Sequence, residues 1–250
     1  MTNYVSWYNR LKGTGEKMER KTYPQCHRCE KRVCYPVIGV DEEPPFSEAP
    51  EFCPMRLHSD VIQRALSEYD REDVREFARL ASLQEFECYE WVHEGIRTRF
   101  PRVEETIQFA NKNGYKRIGI AFCIGLVNEV RILAQILERK GFEVVSVCCK
   151  AGAIPKERIG LKAEEKIPGP AIFESMCSPI TQAEILNAEG VDLVIQLGLC
   201  VGHDTLFMKY CRLPMTVLAV KDRVLGHNPL AALYLSTSPY YSRLRSRKTD

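Results

Sequence analysis

Three times after residue 115 of this 250-residue chain, a short apolar run leads into a cysteine. Lys116-Arg117-Ile118-Gly119-Ile120-Ala121-Phe122 ends at Cys123, the run from Phe142 ends at Cys149, and Val191 to Leu197 is followed by Gly198-Leu199-Cys200. The first two runs are separated by a segment in which Val127, Val130, Ile132, Leu133, Ile136 and Leu137 recur at helical spacing and which stops at Lys140-Gly141. Strand, helix and strand at this spacing make a βαβ unit, so the strands are parallel. The expected fold is α/β: a four-stranded parallel doubly wound, Rossmann-like sheet of order 2-1-3-4, with helices on both faces. Open parallel sheets present ligands at the C-terminal edge of their strands, which is where these thiols fall.

The remaining segments fit around that sheet. Residues 1–21 read as a polar leader, and 22–56 are rich in Cys and Pro, with the turn-forming run Asp41-Glu42-Glu43-Pro44-Pro45. From Ser59, a plausible N-cap, to about Arg99 the pattern is helical, and Pro101 opens a further helix that closes at Asn113-Gly114. Residues 150–178 are loop-rich. A helix from Ile180 to Glu189 precedes the third strand, and a short helix near Asp204–Tyr210 precedes the fourth, Met215 to Val220. Asn228-Pro229 opens a last helix. The expected organisation is a leader (1–21), a cysteine-rich knuckle with helices (22–100), an α/β domain (101–235) and a basic tail (236–250).

Charge narrows the partners. Residues 1–21 hold five Lys/Arg against two Glu, and 241–250 hold four against one Asp, so with a formal net charge of +2 the body is mildly acidic. That argues against a nucleic-acid surface. No stretch has the length and apolarity of a membrane span, and the N-terminus lacks the pattern of a secretory signal. Eleven cysteines without an export signal imply a reducing cytoplasm, where clustered thiols bind metal or do chemistry more often than they pair. The expected partner is a small molecule or a redox protein, with neither nucleic acid nor membrane.

Two cysteine groups carry the candidate chemistry. The first has the pattern Cys26-x2-Cys29-x4-Cys34-x18-Cys53-Pro54. Paired thiolates at such spacing suit structural zinc or a cubane iron–sulfur cluster, and a segment this poor in apolar residues gains its fold from the metal. His27 and His58 are substitutes for one thiolate, which would favour zinc. The second group is Cys123, Cys149, Cys177 and Cys200. Cys177 lies in Ser175-Met176-Cys177-Ser178-Pro179, a loop able to fold over the strand ends. Cys123 immediately precedes a helix, whose N-terminus favours a thiolate. Cys148 points to the opposite sheet face from Cys149 and is a core residue, and Cys88 and Cys211 are packing thiols. His203 and Asp204, beside Cys200, are the candidate proton donors. Lys150, Lys221, Arg223 and His227 are candidate neighbours of anionic thiolates or substrate. The glycine fingerprint of dinucleotide sites, a Walker loop and a nucleophile elbow are all missing.

The segments Ile118–Cys123, Val147–Lys150, Leu197–Asp204 and Lys221–Pro229 resemble a prokaryotic family of cysteine-rich, uncharacterised proteins, domain of unknown function 1847. The resemblance covers roughly residues 22–235. It implies metal binding through cysteines in a cytoplasmic setting and no known substrate.

The leading expectation is an iron–sulfur protein with redox or sulfur-transfer chemistry, its 4Fe-4S cluster held at the strand edge by Cys123, Cys149, Cys177 and Cys200. With three ligands, one iron would stay open to substrate. The alternatives are a zinc-stabilised, non-catalytic binding or scaffold protein, and a metal-free thiol enzyme using Cys200 or Cys123.

Overall fold

The computed structural model describes residues 22–246. The leader 1–21 and the final four positions of the basic tail, 247–250, lie outside the described residues. The chain forms two compact units, Met1–Ala78 and Arg79–Asp250.

The described part of the first unit is short on regular structure, as its Pro and Cys content leads one to expect. A single 3-10 turn covers Cys26–Arg28 and another Phe46–Glu48, followed by helices α1 (Pro54–Leu57), α2 (Ser59–Glu68) and α3 (Glu72–Glu87), the last of which runs on into the second unit. Only Val33, Ala49 and Cys53 are buried apolar residues here, with Met55 packed against them. Ser59 is not the N-cap of α2 but its first residue. The His58 amide still donates to Pro54 O at 2.8 Å in α1, while the His58 carbonyl accepts the Ile62 amide at 3.0 Å. His58 is thus the junction between two consecutive helices, and Ser59 is drawn inside the second.

In the second unit the helical pattern stops at Glu87 rather than running on to Arg99. An antiparallel hairpin follows, β1 (Tyr89–Val92) and β2 (Gly95–Thr98), with Trp91 opposite Ile96 and Val92 opposite Gly95. Tyr, Trp, Val and Ile prefer the extended chain, and Gly95 takes the φ of +125° that closes the turn.

The main sheet then builds up from α4 (Arg102–Lys112), β3 (Arg117–Phe122), α5 (Val127–Arg139), β4 (Glu143–Cys148), α6 (Pro179–Glu189), β5 (Leu193–Leu197), α7 (His203–Tyr210) and β6 (Met215–Ala219), with α8 (Leu230–Leu235) after it. Strand order is β4-β3-β5-β6 and every pair is parallel. This is the 2-1-3-4 order expected from sequence.

Alternation along the strands produces two cores. Ile118, Ile120 and Phe122 of β3 share one face with Ile195, Leu197 and the α4 and α5 residues Ile107, Ala110, Val130, Leu133 and Leu137. Ala121 and Cys123 point the other way, among Val147, Cys149, Val194 and the α6 and α7 residues Ala183, Leu186 and Phe207. Each fully buried aliphatic side chain here contributes about 1.5–3 kcal/mol. Gly119 lies on the second face. A Cβ there would stand 2.8 Å from Val191 Cγ2 and 3.0 Å from Leu186 Cδ2, so its missing side chain is what lets α6 settle on β3. Among the described residues, no helix is long and apolar enough to cross a membrane.

Candidate functional site: three thiols at the sheet edge

Cys123 and Cys149 extend the β3–β4 ladder by one residue. The Cys149 amide donates to Phe122 O at 2.8 Å, and the Cys123 amide to Leu197 O at 3.2 Å. Neighbours on adjacent parallel strands project to the same face, so both sulfurs enter the core on the α6–α7 side. Beyond β4, the chain loops out and returns. The Met176 amide donates to Ile154 O and the Ser178 amide to Cys149 O, both at 2.7 Å, and Lys150 Nζ donates to Ser175 O at 2.6 Å. These bonds lay Cys177 over Cys149.

The result is a run of neighbouring side chains that interact electrostatically, Cys123–Cys149–Cys177–His203, with the three sulfurs in the core on the α6–α7 side. Cys149 is 2% exposed and Cys123 is 8% exposed, while Cys177 is only partly buried. The electrostatics are graded along the run. Hydrogen bonding to Cys149 lowers the Cys123 thiol to about 5 against the opposing effect of burial, helped by the Gly125 amide and the Lys221 ammonium. Cys177 is lowered to about 4, first by its bond with Cys149 and then by His203. Cys149 is pushed up, by its two thiolate neighbours and by desolvation. The bond to Cys177 raises His203. A thiol has one proton to give, so Cys149 serves one neighbour at a time. Lys221 beside Cys123, and His203 and Lys150 beside Cys177, favour the thiolate form at the two ends of the run.

Gln182 holds this arrangement in place. Its Nε2 donates to Phe122 O at 3.1 Å and to Val147 O at 2.7 Å, tying α6 to the last turns of chain before Cys123 and Cys149. Its Oε1, both amide atoms of Gln196 and Nδ1 of His203 are buried without a hydrogen-bond partner. Gln196 pairs with Ala121 in register and so shares the thiol face. Unpaired buried polar atoms cost folding free energy and tend to be retained where function uses them. Neither glutamine was singled out from sequence, although a polar residue inside the apolar strand Leu193-Val194-Ile195-Gln196-Leu197 is the signal that would have found Gln196.

The other sequence candidates are placed differently. Cys200 takes no part in the run: its sulfur accepts from Arg223 Nη2 at 3.0 Å. Asp204 turns its carboxylate onto its own helix start, accepting from the Gly202 amide at 3.0 Å and the Thr205 amide at 2.7 Å. His227 adopts φ +66° and accepts the Asp222 amide at its Nδ1, at 3.1 Å, which shapes the loop after β6. Cys148 lies against both cores, Cys88 accepts from Gln84 Nε2 at 3.4 Å, and Cys211 donates weakly to Leu213 O at 3.7 Å. In the first unit, Cys26, Cys29, Cys34 and Cys53 line one cavity. All eleven cysteines are free thiols.

The donor types at the sheet edge, three thiols and an imidazole, suit a soft metal or an iron–sulfur cluster. Their arrangement is a run rather than a cage. Among the described residues, no three His, Cys, Asp or Glu side chains are set to hold one ion.

A family model described as "Protein of unknown function (DUF1847)" matches residues 53–218, a span that includes every member of the thiol run. An uncharacterized protein of Methanocaldococcus jannaschii is 41% identical over 224 residues, covering 90% of this chain and 100% of that protein.

Proposed function

We propose that this chain, which belongs to the DUF1847 family of proteins of unknown function, carries out redox or sulfur-transfer chemistry with Cys123, Cys149 and Cys177. The observation that carries this reading is the convergence of the three thiols on one face of the sheet edge, Cys123 and Cys149 from adjacent strands and Cys177 tied over them by the Ser178 amide on Cys149 O. The electrostatics favour thiolates at the two ends and a protonated thiol in the middle.

The three thiols differ in what they can do. Cys177 is the most accessible and is held as a thiolate beside His203, so it is the attacking nucleophile. Cys149 is buried and protonated, in reach of Cys177, and is the resolving thiol. Cys123, with Lys221 at its side, is the base that takes the Cys149 proton. With a disulfide substrate, Cys177 attacks one sulfur, the substrate S–S bond breaks, and the leaving thiolate takes a proton from the His203 imidazolium. Cys149 then passes its proton to Cys123 and attacks the mixed disulfide. A Cys149–Cys177 bond forms, and the second leaving thiolate takes the proton held on Cys123. The protein loses two electrons and the substrate gains two electrons and two protons. An external dithiol returns the protein to its starting state.

Single-turnover reaction with a small aromatic disulfide at pH 6 tests these roles. Wild type should release two small thiols per chain from the run. Cys149→Ser should release one and retain a mixed disulfide on Cys177. Equal rates for wild type and Cys177→Ser would remove the assignment.

A second reading is favoured by the softness of the donors and their place at the C-terminal strand edge: the same thiolates, with His203, would hold an iron–sulfur cluster, which would supply one-electron transfer. Cys200, bonded to Arg223, is not then the fourth ligand without a change of partner. Iron and acid-labile sulfide analysis of anaerobically purified protein separates the two readings. Stoichiometric iron and sulfide that are lost in Cys149→Ser select the cluster.

A further inference from the structure

The first unit poses a different problem from the sheet edge. Its described residues contain three buried apolar side chains, one of them a cysteine, yet 22–58 adopts a defined path through two 3-10 turns and a one-turn helix. So small a core does not offset the entropy of ordering a segment of this length. Within it lies a cavity of ≈ 300 Å³, and four of the residues lining it are Cys26, Cys29, Cys34 and Cys53. The lining comes from two separate stretches of chain, 26–34 and 52–55, held together by the Gln25 amide on Phe52 O at 3.4 Å. Four of the chain's eleven cysteines, one in a tight turn with its partner three residues on, thus face a single space. The Cys29 amide donates to Cys26 O at 3.1 Å, the tight turn that lets a Cys-x2-Cys pair grip one centre.

We propose that Cys26, Cys29, Cys34 and Cys53 form a tetrathiolate site for a single zinc-class divalent cation whose binding supplies the stability that the first unit lacks. A metal with four sulfurs at about 2.3 Å draws those sulfurs to about 3.8 Å from one another. The open cavity closes onto the ion when it binds, which is how a donor set not yet arranged as a cage becomes one. Four protein ligands leave no open position, so the site is structural. Cys53 is buried at the N-cap of α1 and already belongs to the small core. Cys26 and Cys34 are exposed and move the furthest. Arg32, between the two halves of the motif and on the cavity wall, offsets part of the double negative charge of a tetrathiolate centre.

The test uses the full-length, reduced protein and cobalt(II) or zinc(II) alone as probe. Wild type should bind one equivalent, and cobalt should give the intense sulfur-to-metal absorption of thiolate ligation. Cys26→Ser/Cys29→Ser should lose it. Cys123→Ser/Cys149→Ser/Cys177→Ser should keep it, which separates this site from the thiol run at the sheet edge. In wild type, zinc should protect Cys26, Cys29, Cys34 and Cys53 from iodoacetamide at least tenfold, a readout that needs no variant to fold. Metal that follows the sheet-edge cysteines instead, or four knuckle thiols alkylated equally fast with and without zinc, would overturn the proposal.

Discussion

At the scale of single residues, the site works through an exchange of charge between sulfur and nitrogen. Cys177 is a thiolate above about 4, so its alkylation rate in native protein should stay flat from pH 6 to pH 9, where an ordinary thiol gains thiolate with every unit. His203 acts in the opposite sense. Its interaction with Cys177 raises its pKa, so the imidazolium is favoured on the acid side, and as pH climbs the proton donor is lost although the nucleophile persists. Disulfide reduction should therefore fall on the alkaline side while alkylation does not. His203→Gln should raise the Cys177 pKa, so the pH at which its alkylation rate falls to half its plateau should move up by at least about one unit from about 4. Iodoacetamide kinetics with mass-spectrometric assignment of Cys177 measures both. Unchanged kinetics in the variant would show that His203 merely packs there.

At the scale of elements, strand ends and one helix set the geometry, and two substitutions away from sulfur test this. Gln182→Ala removes both donors that α6 gives to Phe122 O and Val147 O. Phe122 O keeps the Cys149 amide, so the change takes one of its two donors along with the side-chain donor of Val147 O. Denaturant unfolding should show a loss of about 1–3 kcal/mol in all, together with slower closure of the Cys149–Cys177 disulfide. Gly198 has φ +66°, and a Cβ on it would sit 2.0 Å from Leu126 Cδ1. Gly198→Ala should cost about 2–4 kcal/mol through strained backbone and overpacking together. Gly190 is the control: it ends α6 at φ +61° with open space around its Cβ position, so Gly190→Ala should cost only about 1 kcal/mol. Equal losses for the two glycines, read from urea midpoints, would contradict the close approach of Leu126 to the β5 edge.

At the scale of the whole molecule, what was legible from sequence divides along physical lines. The four-stranded sheet and its order follow from apolar runs of strand length separated by helix-period segments, because both signals are local and strong. The β1–β2 hairpin was not legible. Its turn, His93-Glu94, lacks the Asn-Gly or Asp-Gly signature, and the helical pattern from α3 runs straight into it. The meeting of Cys123 with Cys149 follows from parallel pairing, and Cys177 was placed near them by its loop. Cys200 shows the limit of such reasoning. It follows a strand as Cys123 does, but Gly198 at φ +66° bends the chain between the strand end and Cys200, and its sulfur goes to Arg223. The partner that Cys177 gains instead is His203, from the first turn of α7. Sequence places that histidine three residues from Cys200 and gives no sign that it faces another loop.

The central claim is that Cys123, Cys149 and Cys177 act as one centre, with Cys149 shared between the other two. The most direct measurement is disulfide mapping after wild-type protein, fully reduced and anaerobic, meets one equivalent of a small disulfide at pH 6. The account predicts an internal Cys149–Cys177 crosslink as the main product, replaced by Cys123–Cys149 in Cys177→Ser. Mixed disulfides scattered over the exposed cysteines, with Cys149 still reduced, would contradict it.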